Sequence, residues 1–140
     1  FMGVTEMASV LEGHYDAVVD AIDIKNCKLA FLTHAHRKGY NLYSSLGAGN
    51  RLDPTKVRSG DFFDSRHCRL AKALRKRLRH AGIHQGIKAV WSDELGRPPL
   101  LPLEEQAYER LPQGTISTIP ALFGIMLAGL VIKDMIDDSK

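Results

Sequence analysis

The chain has 140 residues, of which 44% are hydrophobic and 25% charged, and its formal net charge is +3. This length suits one domain with a substantial core. Two cysteines, Cys27 and Cys68, stand far apart without a CxxC pair, which suggests neither a disulfide framework nor a structural zinc site and favours a reducing, cytoplasmic setting. Because the chain starts at Phe1 and not at a methionine, we expect residues upstream of it to be missing.

The first part of the chain predicts a βαβ unit. Residues 5–11 fit a short helix, residues 15–22 a strand nearly continuous in Val and Ala, residues 25–38 a helix ended by Gly39, and residues 40–46 a second strand. Since the connections are short, the two strands should be parallel with a right-handed crossover.

The second part continues the α/β pattern. Residues 47–50 form a glycine-containing loop, followed by a short strand at 55–59, a basic helix at 66–80, a strand at 87–91 and a long surface loop at 92–114. The last helix, at 118–137, is apolar on every face and should be buried, by a sheet on one side and by other elements or a second subunit on the other. Its apolar run at 119–132 is shorter than the roughly 20 residues that span a bilayer, so no membrane partner is expected.

Asp23 stands at the downstream end of the first predicted strand. Open α/β sheets bind ligands beyond the strand tips, where a carboxylate can hold Mg²⁺ against nucleotide phosphates. Aspartate is also a preferred N-cap residue, and Asp23 directly precedes the predicted helix. Both interpretations remain open from the residues alone.

Three further features have functional and structural interpretations. Gly47 and Gly49 let backbone approach a ligand or make a turn. Cys68, at the head of the basic helix, is either a reactive thiol or a small apolar residue. The basic helix is either a solvated face or a surface for tRNA or another polyanion; its candidate binding residues are Arg66, Arg69, Lys72, Arg75, Lys76 and Arg79.

Several segments resemble a known family in order and spacing. They read VVDAID, SLGAGNRLDPTKV, LAKALRKRLR, AVWSDE and GTISTIPALFG, and the match runs from about residue 16 to residue 136. The series is similar to the C-terminal half of ThiF-type, ubiquitin-activating-enzyme-like proteins, most of all the tRNA threonylcarbamoyladenosine dehydratases. The resemblance implies the C-terminal part of a Rossmann-like ThiF fold, a mixed sheet flanked by helices.

The resemblance also implies a chemistry. The family uses ATP to adenylate a carboxyl group, and its tRNA branch then cyclises threonylcarbamoyladenosine, so ATP, Mg²⁺ and tRNA are the expected cofactors and partner, in a cytoplasmic homodimer with ligase-type chemistry. Asp23 matches the family's Mg²⁺- and phosphate-side acid. The residues that match the surrounding ATP and Mg²⁺ site are Ala21, Ile22, Ile24, Asn26 and Lys28.

No glycine-rich phosphate motif of the form GxGxxG occurs in these residues. The family's phosphate loop and catalytic Arg and Lys precede the matched region, so residues 1–140 are expected to be one partial domain that lacks the N-terminal nucleotide-binding half and is incomplete for catalysis alone. Two alternatives remain open: adenylation of a ubiquitin-like or sulfur-carrier protein, and a non-catalytic, truncated dimerisation module.

Overall fold

A four-stranded mixed sheet forms the centre of the protein. The computed structural model describes residues 4–97 and 114–137. The strands are β1 (Val18–Asp20), β2 (Leu42–Ser45), β3 (Val57–Asp61) and β4 (Ile87–Ser92), in the order β1-β2-β4-β3. Strands β1, β2 and β4 are parallel, whereas β3 pairs antiparallel with β4. The predicted α/β class, mixed sheet and parallel βαβ unit are confirmed.

Helices cover both faces of this sheet. They are α1 (Val4–Val10), α2 (Lys25–Arg37), α3 (Arg69–His80) and α4 (Thr118–Asp137). Leu32 of α2 and Leu74 and Leu78 of α3 share one buried cluster with Ile87 and Ala89 of β4. A second cluster forms on the opposite face, where α4 packs against Tyr43, Val57 and Val90. The alternation of side chains along the strands therefore separates two cores.

The described strands and helices differ from the predicted bounds for local reasons. Strand β1 has three residues because the Asp20 carboxylate accepts the N–H of Ile22 at 3.0 Å, which turns the chain directly after the strand. The basic helix begins at Arg69 and not at residue 66, since His67 has a φ of 52° and Cys68 is the N-cap residue. Strand β3 starts after a 3₁₀ turn, Pro54–Lys56, that Asp53 caps.

Among the described residues, the last helix is buried on one face only. Ile119, Phe123 and Leu127, spaced four residues apart, contact the sheet, whereas Ile125 is 69% exposed and Ile132 is 58% exposed. The helix has 20 residues and is long and apolar enough to span a membrane by length and composition. The length argument from the sequence was therefore wrong. The helix packs one face on the sheet and leaves other apolar side chains exposed among the described residues.

Asp134 anchors the end of α4 to the sheet. Its Oδ2 atom accepts from the Tyr43 hydroxyl and lies 2.5 Å from the Lys88 Nζ atom. These donors come from β2 and β4, so three elements meet at one carboxylate. Of the predicted loop at 92–114, Ser92 belongs to β4, and residues 98–113 lie outside the described part of the chain.

Candidate functional site

The carboxyl ends of β1 and β2 meet at one edge of the sheet, which we call the carboxyl edge. The two strands pair in parallel with Asp20 opposite Ser44. The turn at residues 21–24 and the glycine loop at residues 47–50 therefore leave the sheet side by side. This is where open α/β sheets bind ligands.

A buried ion pair lies directly beneath this edge. The Lys28 Nζ atom lies 2.5 Å from the Asp20 Oδ2 atom, and both side chains are 0% exposed. Ser44 Oγ donates to the same carboxylate at 2.7 Å, while Lys28 Nζ also donates to the Ser45 carbonyl at 2.8 Å. Because these additional hydrogen bonds satisfy both charges further, the cluster offsets the cost of removing them from water. The pair fixes the β1–α2 turn.

Asp23 follows the end of β1 by three residues and is exposed. It does not cap α2, because the N-cap residue is Ile24 and no side chain caps that helix. Within the described residues, no group donates to or pairs with the Asp23 carboxylate. The cap interpretation is therefore wrong, and the carboxylate is available to a ligand.

The other predicted nucleotide-site residues have different environments. Ala21 and Ile24 are exposed, and Ile22 is half-buried. Asn26 is exposed and accepts from the Arg77 guanidinium through its side-chain oxygen at 2.8 Å. Lys28 is buried in the ion pair, so the structure gives it a role in supporting the turn and leaves no exposed surface for ligand contact.

The glycine loop is held from behind by Arg51. One guanidinium nitrogen of this residue donates to the Gly47 carbonyl at 3.0 Å and to the Gly49 carbonyl at 2.8 Å, and the other donates to the His67 carbonyl at 2.7 Å. Arg51 is 6% exposed, and its Nε atom is buried without a hydrogen-bond partner among the described residues. The loop is thus tied to the segment that leads into α3.

A second set of contacts holds the chain after the glycine loop. The Glu94 carboxylate, just beyond β4, accepts the N–H groups of Leu52 and Asp53, each at 2.8 Å. Asn50 has a φ of 59°, and its backbone bonds to both Arg97 and Gly114. The exits of β2 and β4 are therefore joined at the carboxyl edge.

The six predicted tRNA-binding residues of the basic segment fall into two groups. Arg75 donates to the Ser65 carbonyl and hydroxyl, and Arg79 lies 5.3 Å from the centre of the Phe63 ring. Burial lowers the pKa of Arg75, and the neighbouring charge of Arg79 adds to this effect. The remaining four, Arg66, Arg69, Lys72 and Lys76, are exposed and have no side-chain partner among the described residues.

Cys68 is buried in the core at 4% exposure. Its sulfur accepts the N–H of Ala71 at 3.4 Å and so caps α3. A thiol in this position stabilises the helix and is shielded from reagents in solution. Its reactivity remains a prediction, and the capping role is what its geometry supports.

Sequence reasoning missed two residues of the site. Asp20 lies in the segment VVDAID, residues 18–23, but the sequence pattern pointed to Asp23, because Asp23 ends the apolar run. The spacing of Val18 and Asp20 on one face of the strand was the available signal for a buried acid. Arg51 gave no local signal, because its carbonyl partners include His67, which is distant in sequence.

The fold defines a class, an α/β domain with an exposed carboxylate after the first of its parallel strands. No family model matches the chain. Individual relatives do. The tRNA threonylcarbamoyladenosine dehydratase 2 of Saccharomyces cerevisiae is 32% identical over 151 residues, covering 94% of this chain and 33% of that protein. The Bacillus subtilis dehydratase is 28% identical over 134 residues, covering 88% of this chain and 52% of that protein.

Solved structures give the same result. The Escherichia coli tRNA N6-threonylcarbamoyladenosine dehydratase, TcdA, in complex with ATP has a TM-score of 0.83 and 25% identity, over 99% of this chain and 55% of that one. Its complex with AMP has a TM-score of 0.82. The chain is thus homologous to part of the tRNA threonylcarbamoyladenosine dehydratases, and the predicted resemblance is confirmed. It spans about a third to a half of the curated relatives.

Proposed function

We propose that this chain is part of an ATP-dependent enzyme that adenylates a carboxyl group and cyclises threonylcarbamoyladenosine in tRNA. The observation that carries the proposal is the exposed carboxylate of Asp23, which has no partner in the described residues and lies at the carboxyl edge of the sheet. The chain that forms this sheet is homologous to part of the dehydratases. The rigid turn beneath it supports the assignment, since the Asp20–Lys28 pair fixes where this carboxylate lies.

The chemistry of Asp23 fits Mg²⁺. The described residues contain no group of three or more His, Cys, Asp or Glu side chains that could hold a metal. Mg²⁺ is commonly held by one or two carboxylates together with water and substrate phosphates, so a single exposed carboxylate is sufficient on the protein side. When bound, the ion would neutralise charge on the pyrophosphate leaving group. Asp23 would orient it.

Four cations support tRNA as the partner. Arg66, Arg69, Lys72 and Lys76 are exposed and unpaired within the described residues, which leaves their charges free for phosphate contacts. We assign contacts with the phosphate backbone of the tRNA to these four residues. Arg75 and Arg79 already have partners within the chain and support the shape of the surface.

The test is Asp23→Asn in the protein that contains this chain with its complete upstream sequence. This change removes the negative charge and keeps the side-chain volume. It should lower ATP-dependent cyclisation of threonylcarbamoyladenosine in tRNA by a factor of about 10² or more, because the variant loses stabilisation of the charge that develops in the transition state. ATP–pyrophosphate exchange should fall in parallel. A matched control is Asp16→Asn, which removes an exposed carboxylate at the start of β1, away from the carboxyl edge.

Activity of Asp23→Asn equal to that of Asp16→Asn would disprove the role of Asp23. Exchange that depends on a ubiquitin-like or sulfur-carrier protein and not on tRNA would instead favour adenylation of such a partner.

Two free cysteines among the described residues agree with the proposed cytoplasmic location.

The exposed face of α4 favours a second candidate, a non-catalytic module that forms a homodimer. Ile125, Ile132 and Ile136 are each more than half exposed, with fractions of 69%, 58% and 56%. Apolar surface of this kind marks contact sites. Loss of ATP chemistry combined with stable self-association would support this candidate over the enzyme.

A further inference from the structure

His67 has a backbone conformation that is uncommon for residues other than glycine. Its φ is 52°, in the left-handed region, where a side chain crowds the backbone. Three other left-handed positions of the described chain, residues 39, 82 and 86, have glycine, which adopts this conformation without crowding. Glycine at residue 67 would therefore serve the turn equally well. The presence of histidine indicates a use for its side chain.

A buried charge holds the carbonyl of His67. The Arg51 guanidinium donates to this oxygen at 2.7 Å, and Arg51 itself is 6% exposed. Hydrogen bonds from a charged donor are stronger than those between neutral groups. The bond fixes the peptide group that follows His67, and Cys68 caps α3 immediately after it. The backbone that presents the imidazole is therefore held from inside the protein.

Within the described residues, the imidazole of His67 has no partner. The residue is exposed, and no described group forms a hydrogen bond, an ion pair or a ring contact with its side chain. Binding costs less conformational entropy when the contacting residue is already fixed in place. A fixed backbone with an exposed ring is therefore suited to contact a partner molecule.

His67 lies at the carboxyl edge of the sheet. A Cβ atom at Gly47, which follows β2 by two residues, would lie 3.6 Å from the Cys68 sulfur, so residues 65–68 pack beside the glycine loop. The described segments at this edge are residues 21–24, 46–53, 65–68 and 93–97, and His67 has the only aromatic side chain in them. It is therefore the residue through which these segments can stack on a base.

Exposed cations flank this ring in the sequence. Arg66 precedes His67 and Arg69 follows it by two residues; both are exposed and have no side-chain partner among the described residues. Proteins that bind unpaired RNA combine cations, which contact phosphates, with aromatic side chains, histidine included, on which bases stack. Residues 66–69 contain both kinds of contact.

We propose that the His67 imidazole stacks on an unpaired base of the tRNA, while Arg66 and Arg69 contact neighbouring phosphates. Enzymes that modify a base act on it outside a duplex, so unpaired nucleotides reach such a site. The inference rests on the proposed function for the identity of the RNA. It adds a contact that distinguishes unpaired from paired RNA to charge contacts that bind phosphates of any sequence.

The test replaces His67 in the protein that contains this chain with its complete upstream sequence. His67→Gly removes the ring and suits the left-handed backbone, so the thermal midpoint should stay within a few degrees of wild type. Its affinity for tRNA, measured without ATP, should fall about fivefold or more, the lower end of the loss at a base-stacking residue. Its affinity for a fully paired RNA duplex of equal charge should not change.

Further variants separate stacking from charge. His67→Phe keeps an aromatic ring without charge or hydrogen bonds and should retain most of the affinity for tRNA. Arg69→Gln should weaken binding of tRNA and of the duplex alike, because it removes a phosphate contact. The matched control is His84→Gly, which removes an exposed imidazole ahead of β4, at the opposite end of that strand from the carboxyl edge. It should leave both affinities unchanged.

Equal tRNA affinities of His67→Gly and His84→Gly would overturn the proposal. A loss in His67→Gly that is as large for the duplex as for tRNA would overturn it too, and so would equal losses in His67→Gly and a folded His67→Phe. A wild-type protein without affinity for tRNA would overturn the proposed partner as well. Inactive Asp23→Asn together with unchanged affinity in His67→Gly would remove the His67 contact and leave the proposed function.

Discussion

Two aspartates three residues apart have opposite environments. Asp20 is 1% exposed and paired with Lys28, whereas Asp23 is exposed and unpaired within the described residues. The pattern separates a structural acid from one that can bind a ligand. The short distance along the chain makes the second depend on the first, because Asp20 also fixes the backbone through the N–H of Ile22.

Replacing Lys28 tests this dependence. Lys28→Met should destabilise the protein by about 3–5 kcal/mol, because the Asp20 charge would remain buried without its partner. Urea unfolding followed by circular dichroism measures the effect. The control is Lys25→Met, an exposed lysine on the first residue of the same helix, which should change stability by no more than about 0.5 kcal/mol.

The double variant Asp20→Asn with Lys28→Met adds a second check on the pair. Since neither charge remains, it should be more stable than Lys28→Met alone. A double variant that is equally or less stable would show that packing around Lys28, and not its charge, accounts for the loss.

Asp134 should make stability depend on acidity. Hydrogen bonds from Lys88 and Tyr43 hold the pKa of this carboxyl below its ordinary value of 3.8. The contribution of this carboxylate to the stability of the fold is therefore present above the ordinary pKa and is lost as the pH falls through the lower pKa of the folded state. The difference in thermal midpoint between wild type and Asp134→Asn should shrink between about pH 5 and pH 2.

The control for Asp134 is Asp16→Asn, which removes an exposed carboxylate that no described side chain contacts. Its difference from wild type gives the effect of removing one exposed charge under the same conditions. A difference for Asp134→Asn that does not shrink at low pH relative to this control would contradict the anchoring of α4 to the sheet through this carboxylate.

At the scale of single elements, α3 has one buried apolar face and one exposed charged face. Ala71, Leu74 and Leu78 are fully buried, while Lys72 and Lys76 stand one turn apart in solvent. An amphipathic helix of this type can lose exposed charges without losing its packing. Charge changes on the exposed side therefore test binding and not folding.

Reversing two of these charges should weaken tRNA binding. Lys72→Glu with Lys76→Glu should lower affinity and reduce the slope of log affinity against log salt by about 0.9 for each phosphate that the helix no longer neutralises. Filter binding at several salt concentrations measures both. The matched control, Arg37→Glu with Lys38→Glu, makes the same charge change at the exposed end of α2. Equal decreases in the two variants would indicate general electrostatics and no α3 contact.

Most elements could be predicted from their sequences, and the reasons for the exceptions are physical. Periodicity and the glycines at positions 39 and 82, which both have positive φ values, fixed where α2 and α3 end. The start of α3 escaped prediction because His67 adopts a left-handed conformation that its residue type does not require. The end of β1 depends on the Asp20 side chain, which periodicity does not describe.

Parts of the fold and of the site lay beyond sequence reasoning because they join residues that are distant in sequence. In the fold, Tyr43 and Asp134, which anchor α4, are 91 positions apart. In the site, Arg51 reaches His67 across the start of another element. Asp23 could be selected from its position after an apolar run. The absence of a cap contact, which decides between its two interpretations, required the structure.

At the scale of the whole molecule, the two faces of the sheet are covered unequally. One face packs against α2 and α3 around a large cluster, while the other packs against a smaller cluster that contains the buried α4 residues Ile119, Phe123 and Leu127 and partly buried neighbours on the same helix. The outer side of α4 therefore presents apolar surface in the described chain. Covering it would release water from that surface and favour association.

Ile125→Glu tests whether this surface forms a homodimer. The residue is 69% exposed, so the variant should fold with little loss of stability but sediment as a monomer at concentrations where wild type associates. The control is Val10→Glu, at a residue of α1 that is 45% exposed. A wild-type chain that is monomeric throughout would contradict the dimer.

Asn50 joins two separate stretches of the described chain. Its carbonyl accepts the N–H of Arg97, and its own N–H bonds to the Gly114 carbonyl. Asn50 has a φ of 59°, a left-handed conformation that asparagine adopts more readily than β-branched residues do. Both bonds therefore depend on the backbone conformation of one residue, so a β-branched side chain at this position would strain the contacts to Arg97 and Gly114 together.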